Sequence, residues 1–175
     1  GLGLMVGIGG ATRFSILKSQ EQHGLANTTL RTALQVGIMS GLLFVLLGLF
    51  GSSNLASALG ADMDTLPMTK TYLRTIFSFA PFLITNNVVL AFTRNDGNPK
   101  LAMVAMFAGS FSNIILDYVF MFPLNMGMFG AAIATGFAPI ISLAVLASHF
   151  WKKHKLSLCK AKSAWSMIPD LFGLG

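Results

Sequence analysis

Charge is scarce in this chain. Of its 175 residues, 10% are Asp, Glu, Lys or Arg, against about 25% in an ordinary soluble domain, which excludes a solvated globular surface. Cysteine is nearly absent too. Cys159 stands alone, so it supports neither a disulfide framework nor a Cys-x-x-Cys metal pair, and beside Lys155 and Lys160 it reads as an inert cytoplasmic thiol. Enzyme motifs are missing: there is no His-Glu-x-x-His, no Gly-x-Ser-x-Gly and no phosphate-binding Gly-x-x-x-x-Gly-Lys-Ser/Thr. Gly1 and Gly3 form a Gly-x-Gly, but no strand precedes it and the next glycine is Gly7, which is not a dinucleotide fingerprint. The reading is therefore of a non-enzyme without a resident cofactor. Residues 1–12 have no basic n-region and no initiator Met, so a signal peptide is not expected and the chain is read as starting inside a helix. The net charge of +6 does not point to nucleic acid, because the basic residues flank apolar runs and form no stripe interleaved with aromatics.

What the chain has is long apolar runs. With 54% hydrophobic residues, it reads as an all-α, multispanning membrane protein, with the lipid bilayer as its solvent. Segments almost free of charge predict complete spans over about 32–50, 72–93, 101–124 and 130–151, and residues 1–12 read as the exit half of an earlier helix. Of the 12 Lys and Arg residues, all but Lys70 and Arg74 fall on one side of this alternation. That bias makes residues 13–31, 94–100 and 152–175 cytoplasmic, in a multi-pass protein of the cell membrane.

The connections are short, as antiparallel neighbours in a bundle require. Asn95, Asp96, Gly97, Asn98 and Pro99 are a dense turn signal. The outer turn after Pro123 is equally tight. The outer link from Gly51 to Lys70 is expected to hold a short helix starting near Asp62, with Pro67 in its first turn or breaking it. Residues 13–31, where Arg13, Lys18, Gln20, Gln22 and His23 interrupt apolar positions, are expected to form an interfacial amphipathic helix. Gly130 and Ala134 carry a small-x-x-x-small packing signal, while Pro81 and Pro139 each remove a helix donor and should bend or loosen their spans. His149, beside Trp151 and Lys152, reads as an interfacial anchor.

One acid sits inside a span. Asp117 is the sole charge between Leu101 and Leu124, and an intramembrane ionisable residue is a functional-site hypothesis by default. A membrane aspartyl protease would need a second facing carboxylate, which no span supplies. Asn113 precedes Asp117 by four residues, so both side chains share a helix face and could hold one proton or one small cation such as Na⁺. Ser110 and Met106 continue that face. Thr85, Asn86 and Asn87 form a polar step in the 72–93 span, and consecutive amides point about 100° apart. One of that pair is expected to make an interhelical hydrogen bond and the other to line a cavity.

These residues carry a resemblance. The segments RNDGNPKLAM (94–103), NIILDYVFMFPLNMGMFGAAIAT (113–135) and LGAD (59–62) resemble multidrug and toxic compound extrusion (MATE) transporters of the MepA-like branch, and the likeness covers nearly the whole chain. The resemblance implies a twelve-helix transporter of two six-helix lobes that exchanges Na⁺ or H⁺ for organic cations. On that alignment residues 1–162 are an incomplete amino-terminal lobe, from the end of its second helix through its sixth, and residues 163–175 a cytoplasmic linker to a missing second lobe. It further implies that Asp117 and Asn113 match the acid and amide of a fifth-helix coupling site, and that Asn86 or Asn87 matches a polar position of the fourth helix in the same cavity. A first helix, which in many members carries another acid, has no counterpart here, so the chain alone is expected to be inactive. The alternatives are a flippase for lipid-linked oligosaccharide, of related fold, and a non-transporting scaffold or truncation product. A pyrophosphate-binding flippase cavity would carry several basic residues, and the spans here hold one, Arg74, two residues inside the end of its span.

The charge bias generates a topological prediction. Ser19→Cys and Asn98→Cys, introduced with Cys159→Ser, should react with impermeant thiol reagents only from the cytoplasmic side, and Ser53→Cys only from outside. Labelling of the Ser53→Cys protein from the cytoplasm would reverse the orientation.

Overall fold

Helix stops in this chain are set by proline, by left-handed residues and by side-chain caps. A computed structural model describes residues 2–58, 60, 62 and 65–153. Among them are six α-helices and no strands: α1 (Leu2–Ser19), α2 (His23–Ala58), α3 (Leu66–Ser78), α4 (Ala80–Asn95), α5 (Pro99–Met121) and α6 (Gly127–Lys153). Helices α2 and α5 and the Gly127–Ala147 stretch of α6 are long and apolar enough to cross a membrane. Helices α3 and α4 make a fourth crossing if counted as one span bent by 46°. The protein is thus a multi-pass helical bundle, and the expected linker over 163–175, Cys159 and the side chains of His149 and Trp151 lie outside what is described.

The bend between α3 and α4 has a local cause. Pro81 has no N–H and its ring displaces the carbonyl four residues earlier, so the ladder cannot run through Phe79. Phe79 takes φ −90°, ψ 0° and donates instead to the Ile76 carbonyl at 3.1 Å. Pro139 acts differently, since α6 continues past it. The short helix expected near Asp62 starts at Leu66, with Pro67 in its first turn.

Residues 13–31 correct the sequence reading. They are not a separate interfacial helix: α1 runs on to Ser19, a tight turn follows, and His23 already begins α2. The stop is a Schellman-type cap, with Gln22 N–H donating to the Leu17 carbonyl and Glu21 N–H to that of Lys18. Glu21 holds the left-handed position at φ 60°. Glycine usually takes that place, so the sequence carries no stop signal there.

At the same end of the bundle lies the turn from α4 to α5. Gly97 adopts φ 89°, Asn98 Oδ1 accepts from the Leu101 N–H at 3.2 Å, and Pro99 opens α5. Lys18 Nζ meets Asp96 Oδ1 at 2.5 Å, with the Asp96 carboxylate buried. This pair ties the α1–α2 turn to the α4–α5 turn, so two of the basic segments share one face.

Helix α4 is the centre. Val88, Phe92 and Ala91 pack on α1 and α2, where Phe14 meets Phe92 edge to face at 5.4 Å. Val89 and Leu90 face α5 and α6 through Ala102, Ala105 and Leu146. Contacts this close rely on small residues, since helices in lipid associate by packing rather than by expelling water. A Cβ on Gly7 would lie 3.1 Å from the Asn87 carbonyl oxygen, and one on Gly41 would lie 2.4 Å from Pro81 Cα. The outer face of α2, with Met39, Leu43, Leu46 and Phe50, stays exposed and apolar, as lipid contact requires.

Gly41→Ala should therefore lower stability by about 1–3 kcal/mol, because the obstructing atoms are backbone. Gly51→Ala, with nothing within 4 Å, should be neutral or raise stability by about 0.5–1 kcal/mol through helix propensity. Thermal unfolding of the purified protein in detergent measures both, and equal midpoints would refute the close α2–α4 approach.

Candidate functional site

Three helices each present one stripe to a common cleft. Helix α4 contributes Leu83, Asn86, Asn87 and Leu90; α5 contributes Met106, Gly109, Ser110 and Asn113; α6 contributes Thr135, Ala138, Pro139 and Ser142. Every set follows the spacing i, i+3, i+4, i+7, which is a single face of a helix. The cleft has a volume of about 350 Å³. Its floor is the α5–α6 contact, where a Cβ on Gly109 would lie 3.0 Å from the Ala138 carbonyl oxygen.

The polarity of this cleft is not self-satisfied. Asn86 Oδ1, Asn113 Nδ2 and Ser142 Oγ are buried without a hydrogen-bond partner. Such atoms cost free energy in an apolar surrounding unless water or a ligand pairs with them. Asn87 behaves otherwise, since its Nδ2 donates to the Leu83 carbonyl of its own helix at 2.9 Å. That bond is within α4, not between helices as the sequence suggested, and both Asn86 and Asn87 line the cleft.

Of the seven sequence candidates, Asn86, Asn87, Met106, Ser110 and Asn113 lie together on the lining, whereas Thr85 and Asp117 do not. Asp117 sits one turn beyond Asn113 on α5 and is half-buried, with Oδ1 buried and unpartnered. Thr135 and Ser142 were not anticipated. Their signal was the spacing Thr135, Pro139, Ser142 inside a span that reads as small-residue packing. Among the described residues no three His, Cys, Asp or Glu side chains cluster to hold a metal ion. What remains for a hard monovalent cation is one carboxylate with neutral amide, hydroxyl and carbonyl oxygens.

Comparison with known proteins agrees with this architecture. The sequence profile of the MatE family matches residues 1–119. The multidrug export protein MepA of Staphylococcus saprophyticus is 29% identical over the whole chain, and that of Staphylococcus aureus strain MRSA252 is 30% identical. The chain spans 40% of the length of these relatives. A solved inward-facing multidrug resistance MATE family transporter of the MOP superfamily superposes with a TM-score of 0.90 at 23% identity, covering 99% of this chain and 40% of that one. A MOP superfamily transporter from Pyrococcus furiosus gives 0.87 at 23% identity, over 99% of this chain and 39% of its own. These two likenesses establish the fold.

The contrast between satisfied and unsatisfied asparagines can be measured. Asn98→Ala removes the cap of α5 and should cost about 1 kcal/mol. Asn113→Leu removes a buried amide atom that has no partner, so thermal unfolding should show no loss of stability and up to about 1 kcal/mol of gain. A destabilised Asn113→Leu protein would show that its amide is a structural bond.

Proposed function

The chain belongs to the MatE family, and from that membership we propose that it forms most of one lobe of a cation-coupled exporter of organic cations. The family is one of membrane transporters rather than enzymes. The observation that carries the proposal is Asp117: an acid in an apolar spanning helix whose Oδ1 is buried without a partner. A carboxylate in that position is costly when ionised and alone, so a bound cation or proton is the partner we assign to it.

In this reading Asp117 takes up the coupling ion when the site faces one side and releases it when the site faces the other. Exchange follows because the ion has different affinity for the two states. Asn113, one turn away, supplies an amide to the same ion. Substrate occupies the adjoining cleft, where Met106 gives an adaptable apolar wall. Alternating access needs two bundles that rock about a shared site. The chain has 40% of the length of its relatives, so we assign the second bundle to a second lobe and expect no transport from this chain alone.

A flippase for pyrophosphate-linked oligosaccharide fits less well, because the cleft lining carries no Lys or Arg. A scaffold makes the opposite prediction for Asp117, namely that it is replaceable.

Ethidium efflux from cells expressing the two-lobed transporter that contains this chain tests the proposal. Asp117→Asn should abolish efflux at unchanged expression, because the amide keeps size and hydrogen bonding but cannot cycle charge. Asn113→Ala should weaken it less, and the 175-residue chain by itself should give none. Full efflux by the Asp117→Asn protein would make the acid structural and leave the scaffold reading.

A further inference from the structure

The α6 wall of the cleft holds one hydroxyl without a partner and one carbonyl that loses its ladder donor to a proline. Pro139 has no N–H, so the helix ladder offers the Thr135 carbonyl no donor four residues on. Both residues line the cleft. Nearly one turn beyond Pro139, Ser142 is 2% exposed and its Oγ has no partner. Opposite, on α4, the Asn86 Oδ1 is likewise buried and unpartnered. Asn113 Nδ2 is the unpaired amide donor in the same cleft. Asp117 lies one turn farther along α5, about 6 Å by helix rise, and adds negative charge.

We propose that this cleft discriminates among organic cations by their N–H groups, preferring amidinium or guanidinium cations to fully alkylated ammonium or phosphonium cations, with Ser142 and Asn86 as the discriminating residues. This rests on the reading of the cleft as the transport site. Asp117 attracts either kind of cation through its charge, which falls off slowly with distance in an apolar medium. Contact at the α6 wall is different. An amidinium presents N–H donors that can pair with the Thr135 carbonyl, Ser142 Oγ and Asn86 Oδ1, replacing the water these atoms otherwise need. A quaternary ammonium has no N–H. It displaces the same water and leaves the acceptors bare, and sites built to hydrogen-bond a ligand reject analogues that lack the partner.

The experiment compares two monovalent aryl cations of similar size, para-butylbenzamidinium and para-butylphenyl-trimethylammonium, for binding to and transport by the two-lobed transporter in proteoliposomes. The amidinium should bind about tenfold more tightly, the equivalent of one net hydrogen bond. Ser142→Ala and Asn86→Leu should each cut that ratio to about threefold or less, chiefly by weakening the amidinium. Neither should lower the unfolding midpoint, because each removes a buried atom that has no protein partner. Equal affinity for the two cations, or a tenfold preference that survives both substitutions, overturns the proposal and assigns the acceptors to bound water. A midpoint lowered by several degrees in Ser142→Ala overturns the role given to that hydroxyl by making it structural. If neither cation binds or moves, or if Asp117→Asn moves both unimpaired, it is the transport reading itself that fails, and the proposal falls with it.

Discussion

Backbone contact with α4 is the constraint from which the rest of the bundle follows. Inside a bilayer, apolar side chains gain little by touching one another instead of lipid, so helices hold together where their surfaces approach most closely. Helix α1 meets α4 across Gly3, Gly7 and Gly10, and α2 meets its first turn across Gly41. Ile84, Val88 and Phe92 are thereby buried on one side. With that side occupied, α5 and α6 meet α4 through Leu90 and Val89 near the basic end, and α6 meets the α3–α4 junction again where Phe79 packs on Phe137. Between these two contacts lies the cleft.

Helix packing alone would make an apolar groove that lipid could fill. Polar residues prevent this. Asn86, Asn113 and Ser142 put unpaired atoms into the gap, and Pro139 strips the Thr135 carbonyl of its ladder donor. A helix bundle in hydrocarbon normally satisfies such groups internally, and exceptions cluster where water or cargo must enter. Asp117 extends the same logic to charge. Its position one turn beyond the lining leaves the cleft itself with neutral hydrogen-bonding groups.

The two turns at the basic end show how a bundle with an open cleft keeps its register. Lys18 and the buried Asp96 join the α1–α2 hairpin to the point where α4 hands over to α5. Removing one partner of a buried charge costs more than the pair itself stabilises, so this tie resists replacement. Gly97 at φ 89° and the Asn98 cap then start α5 directly after this tie.

By itself the sequence determined the apolar spans, the α4–α5 turn, the proline break before α4 and the presence of one intramembrane acid. Each is a local property: run length, turn chemistry, a missing N–H and a charge in a hydrophobic segment are all written within a few residues. The helix stop at Glu21 was not legible, because a left-handed glutamate is chosen by tertiary fit and leaves no glycine to read. Partnership was not legible either. Asn86 and Asn87 are adjacent and chemically identical, yet one amide is bonded to its own helix and the other leaves its Oδ1 without a partner. Only the tertiary structure decided that, and only it brought Thr135 and Ser142 to the cleft or set Asp117 just outside it, because whether a buried polar atom is satisfied depends on what three other helices place within about 3 Å of it.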